Sequence, residues 1–186
     1  MTILYIVLAV IALLLVWAVF LYNSLVRLNN RTKEGWSDID VQLKRRHDLI
    51  PNLLNSVKGY MEHEKSLLQK VTELRSQAMS AQAGGNTAEL ANVENQLSGM
   101  LGKLQIAVEA YPDLKANTNV AQLMDELSDT ENKIQAARRF YNGMVRDFNT
   151  KIETFPNNMI AGMLKFKAYE YFEAEAGERE NVEVKF

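Results

Sequence analysis

The sequence predicts an all-α protein, with an N-terminal transmembrane helix continuing into a long-helix antiparallel bundle with coiled-coil-like packing. Three observations predict it. Residues 3–22 read "ILYIVLAVIALLLVWAVFLY", and no charged side chain precedes Arg27. Apolar residues then recur at alternating steps of four and three through most of the chain, a helical period that strands do not share. The 186 residues include only nine glycines and three prolines, so few positions force the backbone out of a helix.

The first element is the span. At about 1.5 Å per residue, Ile3 to Tyr22 covers roughly 30 Å, the hydrocarbon thickness of a bilayer. Tyr5 lies near one end and Trp17, Phe20 and Tyr22 near the other, where amphipathic rings favour the headgroup boundary. A cleavable signal peptide would carry a basic stretch before the apolar run and a small-x-small site after it, and neither is present. Residues 1–26 are therefore expected to form a retained single-pass anchor in the lipid bilayer. Arg27, Arg31, Lys33, Lys44, Arg45 and Arg46 follow the span, against Glu34, Asp38 and Asp40. By the positive-inside rule the soluble part is cytoplasmic and the N-terminus lies outside.

The second element is a long rod. Ile39, Leu43, Arg46, Ile50, Leu53, Val57, Tyr60, Glu64, Leu67, Val71, Leu74 and Ala78 follow the four–three alternation. That predicts one helix over about residues 27–83, interrupted at most near Gly35 and Pro51. "AGGN" ends it, with Gly84 and Gly85 as the left-handed stop. Asn86 then caps a helix over about 87–111, with Glu89 at capping-box spacing. Leu90, Val93, Leu97, Leu101, Leu104, Val108 and Tyr111 stripe that helix, and Pro112 closes it. A third helix, about 118–154, starts near Asn117 or Asn119 and carries the most regular seam: Leu123, Leu127, Thr130, Ile134, Ala137, Tyr141, Met144 and Phe148. It stops before Pro156. Residues 27–155 thus form the bundle, and residues 156–186 a short amphipathic segment and an acidic tail. The segment "NNMIAGMLKFKAYEYF" lies on the bundle or contacts the membrane or a neighbouring subunit. The tail from Glu170 is expected to be solvated.

Reactive chemistry is sparse. A formal net charge of −2 argues against nucleic acid as a partner, and the absence of cysteine removes disulfides and thiolate metal sites. His47 and His63 are too far apart to share a helical face as an i, i+4 metal pair, and no HExxH, GxSxG or phosphate-loop spacing occurs. Catalytic residues, cofactors and metals are accordingly expected to be none. The densest polar stretch is "KRRHDLIPNLL". Pro51 lacks the donor that would reach the His47 carbonyl, and its ring crowds that carbonyl. Because Ile50, Leu53 and Val57 keep the seam in phase, the stretch predicts a kinked continuous helix. Arg45, Arg46, His47, Asp48, Pro51 and Asn52 then form a charged collar, with Arg45, His47 and Asn52 covering the freed backbone or meeting a neighbour. Arg46, a charge on the seam, calls for a partner on another helix or subunit.

With these pieces in place the chain closely resembles the LemA family of bacterial membrane proteins. The resemblance is carried by "YNSLVRLNNRTKEGWSDIDVQLKRRHDLIPNLLNSVKGYMEHE" at 22–64, "YPDLKAN" at 111–117, "ENKIQAARRFYN" at 131–142, "FPNN" at 155–158 and "YFEAE" at 171–175. It implies a single-pass anchor in the bacterial inner (cell) membrane, a helical soluble bundle, and a link to membrane organisation and envelope or stress responses, with no established catalytic residues. The expected role is a non-enzymatic scaffold that self-assembles as a homo-oligomer. The alternative is a sensor or adaptor that binds an envelope protein such as a kinase or protease.

Overall fold

The structure, a computed structural model, describes residues 1–173. Six helices occur in that range: α1 (Thr2–Val57), α2 (Lys65–Gly84), α3 (Thr87–Glu109), α4 (Pro112–Lys115), α5 (Thr118–Glu153) and α6 (Asn157–Met163). With 56 residues, α1 is about 84 Å long. Its apolar N-terminal part is long and apolar enough to cross a bilayer, and the protein covers none of that stretch. Leu25 is its first fully buried residue.

The expected rod over 27–83 is two helices, not one. After Val57 the chain turns through residues 58–64, and α2 runs back along α1. Arg75 on α2 reaches the His47 carbonyl and Gln82 reaches Asp40, so numbers rise on one helix as they fall on the other. The turn holds together because Met61, fully buried, plugs the apolar end of the bundle, while its N–H and that of Tyr60 bond the Val57 carbonyl. Gly59 lies in this turn with open space around it. The bundle therefore has four long helices, α1, α2, α3 and α5, alternating in direction. Periodicity alone could not reveal the reversal, because a helix that folds back presents the same seam to the same core.

The remaining joints follow local chemistry. Gly85 adopts φ 68° and ends α2, and Asn86 accepts from the Glu89 N–H while its own amide donates to the Glu89 carboxylate. Asn117, rather than Asn119, caps α5, accepting from the N–H groups of Asn119 and Val120. Helices α1 and α5 approach closely at Gly35, where a Cβ would stand 3.2 Å from Tyr141 Cα. A larger residue there would push the two longest helices apart.

Beyond α6 the chain does not drift into solvent at once. Residues 166–173 form an extended strap that runs back along α5. Asn149 brackets Tyr169, accepting from its N–H and donating to its carbonyl, both at 2.9 Å. Asn142 does the same for Phe172, at 2.9 and 3.1 Å. Phe166, Tyr169 and Phe172 recur every third residue, and their rings pack edge-on against Phe148 and Trp36. The Tyr141 hydroxyl donates to the Glu170 carbonyl at 2.9 Å. Burial, with Tyr169 and Glu170 nearby, pushes that hydroxyl up to about 12, so it remains a donor at physiological pH. The expectation of a solvated tail thus fails at Phe172, which the Asn142 amide and an aromatic groove hold fully buried, while Glu170, Tyr171 and Glu173 are exposed as expected. The rest of that tail, 174–186, lies outside the described residues.

Candidate functional site

The sequence-selected stretch on α1 divides sharply by face. Arg46 and His47 are 1% and 3% exposed, whereas Arg45, Asp48 and Asn52 point to solvent and Pro51 is half-buried. Arg46 and His47 point inward to a cluster built by three helices. Arg46 Nη2 pairs with Glu94 Oε2 on α3, and Nη1 with Glu131 Oε2 on α5 at 2.6 Å. Ser98 bridges Arg46 and Glu131: its hydroxyl accepts from Arg46 Nη1 at 2.7 Å and donates to Glu131 Oε1 at 2.8 Å. His47 Nε2 lies 2.7 Å from Glu94 Oε1.

Glu94, 1% exposed, sits at the centre. Burial pushes its carboxyl up, but the His47 hydrogen bond and the Arg46 charge, with the His47 charge and the Arg46 hydrogen bond, outweigh it and hold the group below the usual carboxylate value. An ionised carboxylate only accepts, so His47 Nε2 must carry the hydrogen between them. A carboxyl lowered on folding stabilises the fold fully above its unfolded value, and that contribution is lost as pH falls through the folded one. Thermal melts should therefore show stability falling as pH drops below 4.5, the ordinary value for a glutamate carboxyl. In Glu94→Gln that acid loss should be smaller.

Pro51 does not end α1, which continues to Val57. The carbonyl that Pro51 cannot satisfy, that of His47, accepts from Arg75 Nε at 2.7 Å. The covering group therefore comes from α2 and not from Arg45, His47 or Asn52, because those side chains point away from the freed carbonyl or into the cluster. Arg45 instead makes a loose, half-exposed pair with Glu126 at 3.7 Å, and the Asn52 carbonyl accepts from Ser56. The idea of a collar around the helix gives way to a core charge with a solvated rim. The other seam charge, Glu64, marks the turn and accepts from the Tyr111 hydroxyl at 2.6 Å.

Glu94, Ser98, Glu131 and Arg75 did not stand out as partners. One signal was present: Leu90, Glu94, Leu97, Leu101, Leu104 and Val108 also alternate by four and three, which puts Glu94 on the α3 seam as Arg46 is on that of α1. A single acid on one seam complements a single base on another. On α5, Leu127, Ile134, Tyr141 and Phe148 are buried and Leu123 is half-buried. Ile3, Trp17 and Tyr22 are exposed on the span. Among the described residues no group of three or more His, Cys, Asp and Glu is arranged to hold a metal ion.

Comparison with known proteins bears on the same region. The LemA family model matches residues 35–186, the bundle and strap with all the cluster residues. Protein LemA of Metamycoplasma hominis is 32% identical over 161 residues, covering 87% of this chain and 73% of that protein. Magnetosome protein MamQ 2 of Paramagnetospirillum magneticum is 25% identical over 175 residues, 82% of this chain and 64% of that protein. Magnetosome protein MamQ of Magnetospirillum gryphiswaldense is 24% identical over 181 residues, 84% of this chain and 66% of that protein. The chain thus spans just under two thirds of the length of these two magnetosome relatives.

Proposed function

Because this chain belongs to the LemA family of membrane-associated helical proteins, we propose that it is a non-enzymatic scaffold, anchored by α1, that self-assembles at the bacterial cell envelope. The observation that carries the reading is the continuity of α1. One helix runs from the apolar span into the bundle core, and the Arg46 cluster clamps its inner half to α3 and α5. A bundle held this way keeps a set direction relative to the bilayer. Copies confined to one membrane then meet at high effective concentration, and weak lateral contacts suffice for assembly. The burial of Arg46, His47 and Glu94 supports a structural use of these groups, since a substrate does not reach them in this conformation.

The cytoplasmic placement of the bundle rests on Arg27, Arg31, Lys33, Lys44 and Arg45, all exposed. Protease added outside spheroplasts should leave the bundle intact.

A second reading, a sensor or adaptor for another envelope protein, is favoured by one feature. Near Pro51 an open cleft of about 840 Å³ lies between the end of α1 and the start of α2, with Ile50, Leu54, Met61 and Leu68 in its wall. It opens at the end of the bundle far from the span. Particle mass of the purified full-length protein in lipid discriminates the two. A scaffold forms particles of several chains unaided, whereas an adaptor remains a single chain until its partner is added.

A further inference from the structure

We propose that α6, with Phe155 before it and Lys165 after it, is an interfacial foot that lies in the headgroup layer beside the point where α1 enters the membrane. The inference rests on the α1 span and is independent of the scaffold reading.

Helix α6 presents two faces. Asn157 and Ala161 are buried against the protein, while Met159 and Met163, one turn apart on the outer face, and Phe155, just before the helix, are 66%, 84% and 73% exposed. Among the described residues no other element covers this outer stripe. Its height in the molecule says what does. Helices α1 and α5 run antiparallel, with Arg46 paired to Glu131, Gly35 against Tyr141, and the Thr32 hydroxyl 3.4 Å from the Met144 carbonyl. Each step along α5 toward its C-terminus is one step back along α1, so Glu153 lies level with Asn23, just past the apolar span. The strap regains α1 at Asn29, which accepts from the Tyr169 hydroxyl at 2.9 Å. Both ends of the segment that carries α6 are therefore anchored within the first two turns beyond Tyr22, and α6 packs against both α1 and α5. At about 1.5 Å per residue that interval is about 10 Å, comparable with one headgroup layer.

Charge and backbone agree with this placement. Arg27, Lys165 and Lys167 are exposed in the same zone, as suits anionic headgroups. Lys165 also holds φ 57°, a left-handed conformation that a glycine would adopt at less cost. A cation is kept where the helix ends, and the Phe166 N–H closes the turn on the Ala161 carbonyl. The apolar stripe enters the acyl boundary while the lysines stay with the phosphates.

The chain has no cysteine, so single labels report without background. Full-length protein carrying Met163→Cys, labelled with an environment-sensitive fluorophore, is reconstituted in vesicles of anionic phospholipid with a spin-labelled lipid quencher near the headgroups. Ile106→Cys, exposed at the far end of α3, is the distant control, and Val19→Cys reports the span. Quenching at position 163 is expected to exceed that at 106 by about fivefold, and to fall toward the control when Met159→Asp and Phe155→Asp are added. Equal quenching at 163 and 106, with 19 quenched, overturns the foot alone. Failure to quench 19 overturns the anchor and the foot together. Shielding of 163 that rises with chain density and does not need lipid assigns the stripe to a second copy and also overturns the proposal.

Discussion

Arg46→Met is expected to lower folding stability by about 3–5 kcal/mol, a larger loss than its size suggests. Methionine keeps much of the apolar stem, so packing is largely preserved and the change isolates the charge. Without the guanidinium, Glu94 remains fully buried with only His47 facing it, and the Ser98–Glu131 pair loses its bridge to α1. For a domain of this size the loss corresponds to roughly 10 °C in melting temperature. Removing both charges should cost far less: Arg46→Met with Glu94→Leu is expected to recover most of the stability, because a buried pair replaced by apolar groups is often neutral. Thermal and urea denaturation of the two variants in one detergent checks both statements. If Arg46→Met alone changes stability by less than about 1 kcal/mol, the cluster does not clamp α1.

Phe172→Ala should cost a further class of contacts, about 3–5 kcal/mol if the strap unfolds with the bundle. The ring is fully buried, 5.8 Å from the Trp36 ring, and the Arg138 guanidinium lies 5.1 Å above it. Truncating it opens the groove between α1 and α5 and weakens the Asn142 bracket, which works only while the strap is seated. Trp36 emission, read in a Trp17→Phe background, should shift to the red. Asn142→Ala should cost less, about 1–2 kcal/mol, since two backbone groups then turn to water. Unchanged stability and unchanged Trp36 emission in Phe172→Ala would mean that the strap does not contribute to the core.

The long apolar N-terminal helix, the helical class and the caps were legible because each has a local cause: an apolar run of bilayer length, a period near 3.5, an amide before a first turn. Arg46 was legible as an anomaly, a charge on an apolar seam, but its partners were not. Glu94 and Glu131 become neighbours of Arg46 only once α3 and α5 are placed in register, and register is a long-range property. The reversal after Val57 stayed hidden for a different reason. Leu67, Val71, Leu74 and Ala78 continue the seam without a phase shift, so the pattern reads as one rod although Tyr60 and Glu64, its weak positions, mark the turn. The strap carried no period-3.6 signal and its acidic neighbours suggested solvent. What holds it are two asparagines one heptad apart on α5, a recognition of backbone that leaves little trace in the strap's own sequence.

The account's central claim is that one rigid helix carries the bilayer's orientation into the bundle. Spin labels at Val19→Cys and Val41→Cys, both exposed on α1, test it by pulsed electron–electron distance measurement in lipid. A continuous helix predicts a single narrow distribution centred near 33 Å. A broad distribution, or one centred well below that distance, would mean that α1 bends or frays where it leaves the membrane, and would contradict the claim.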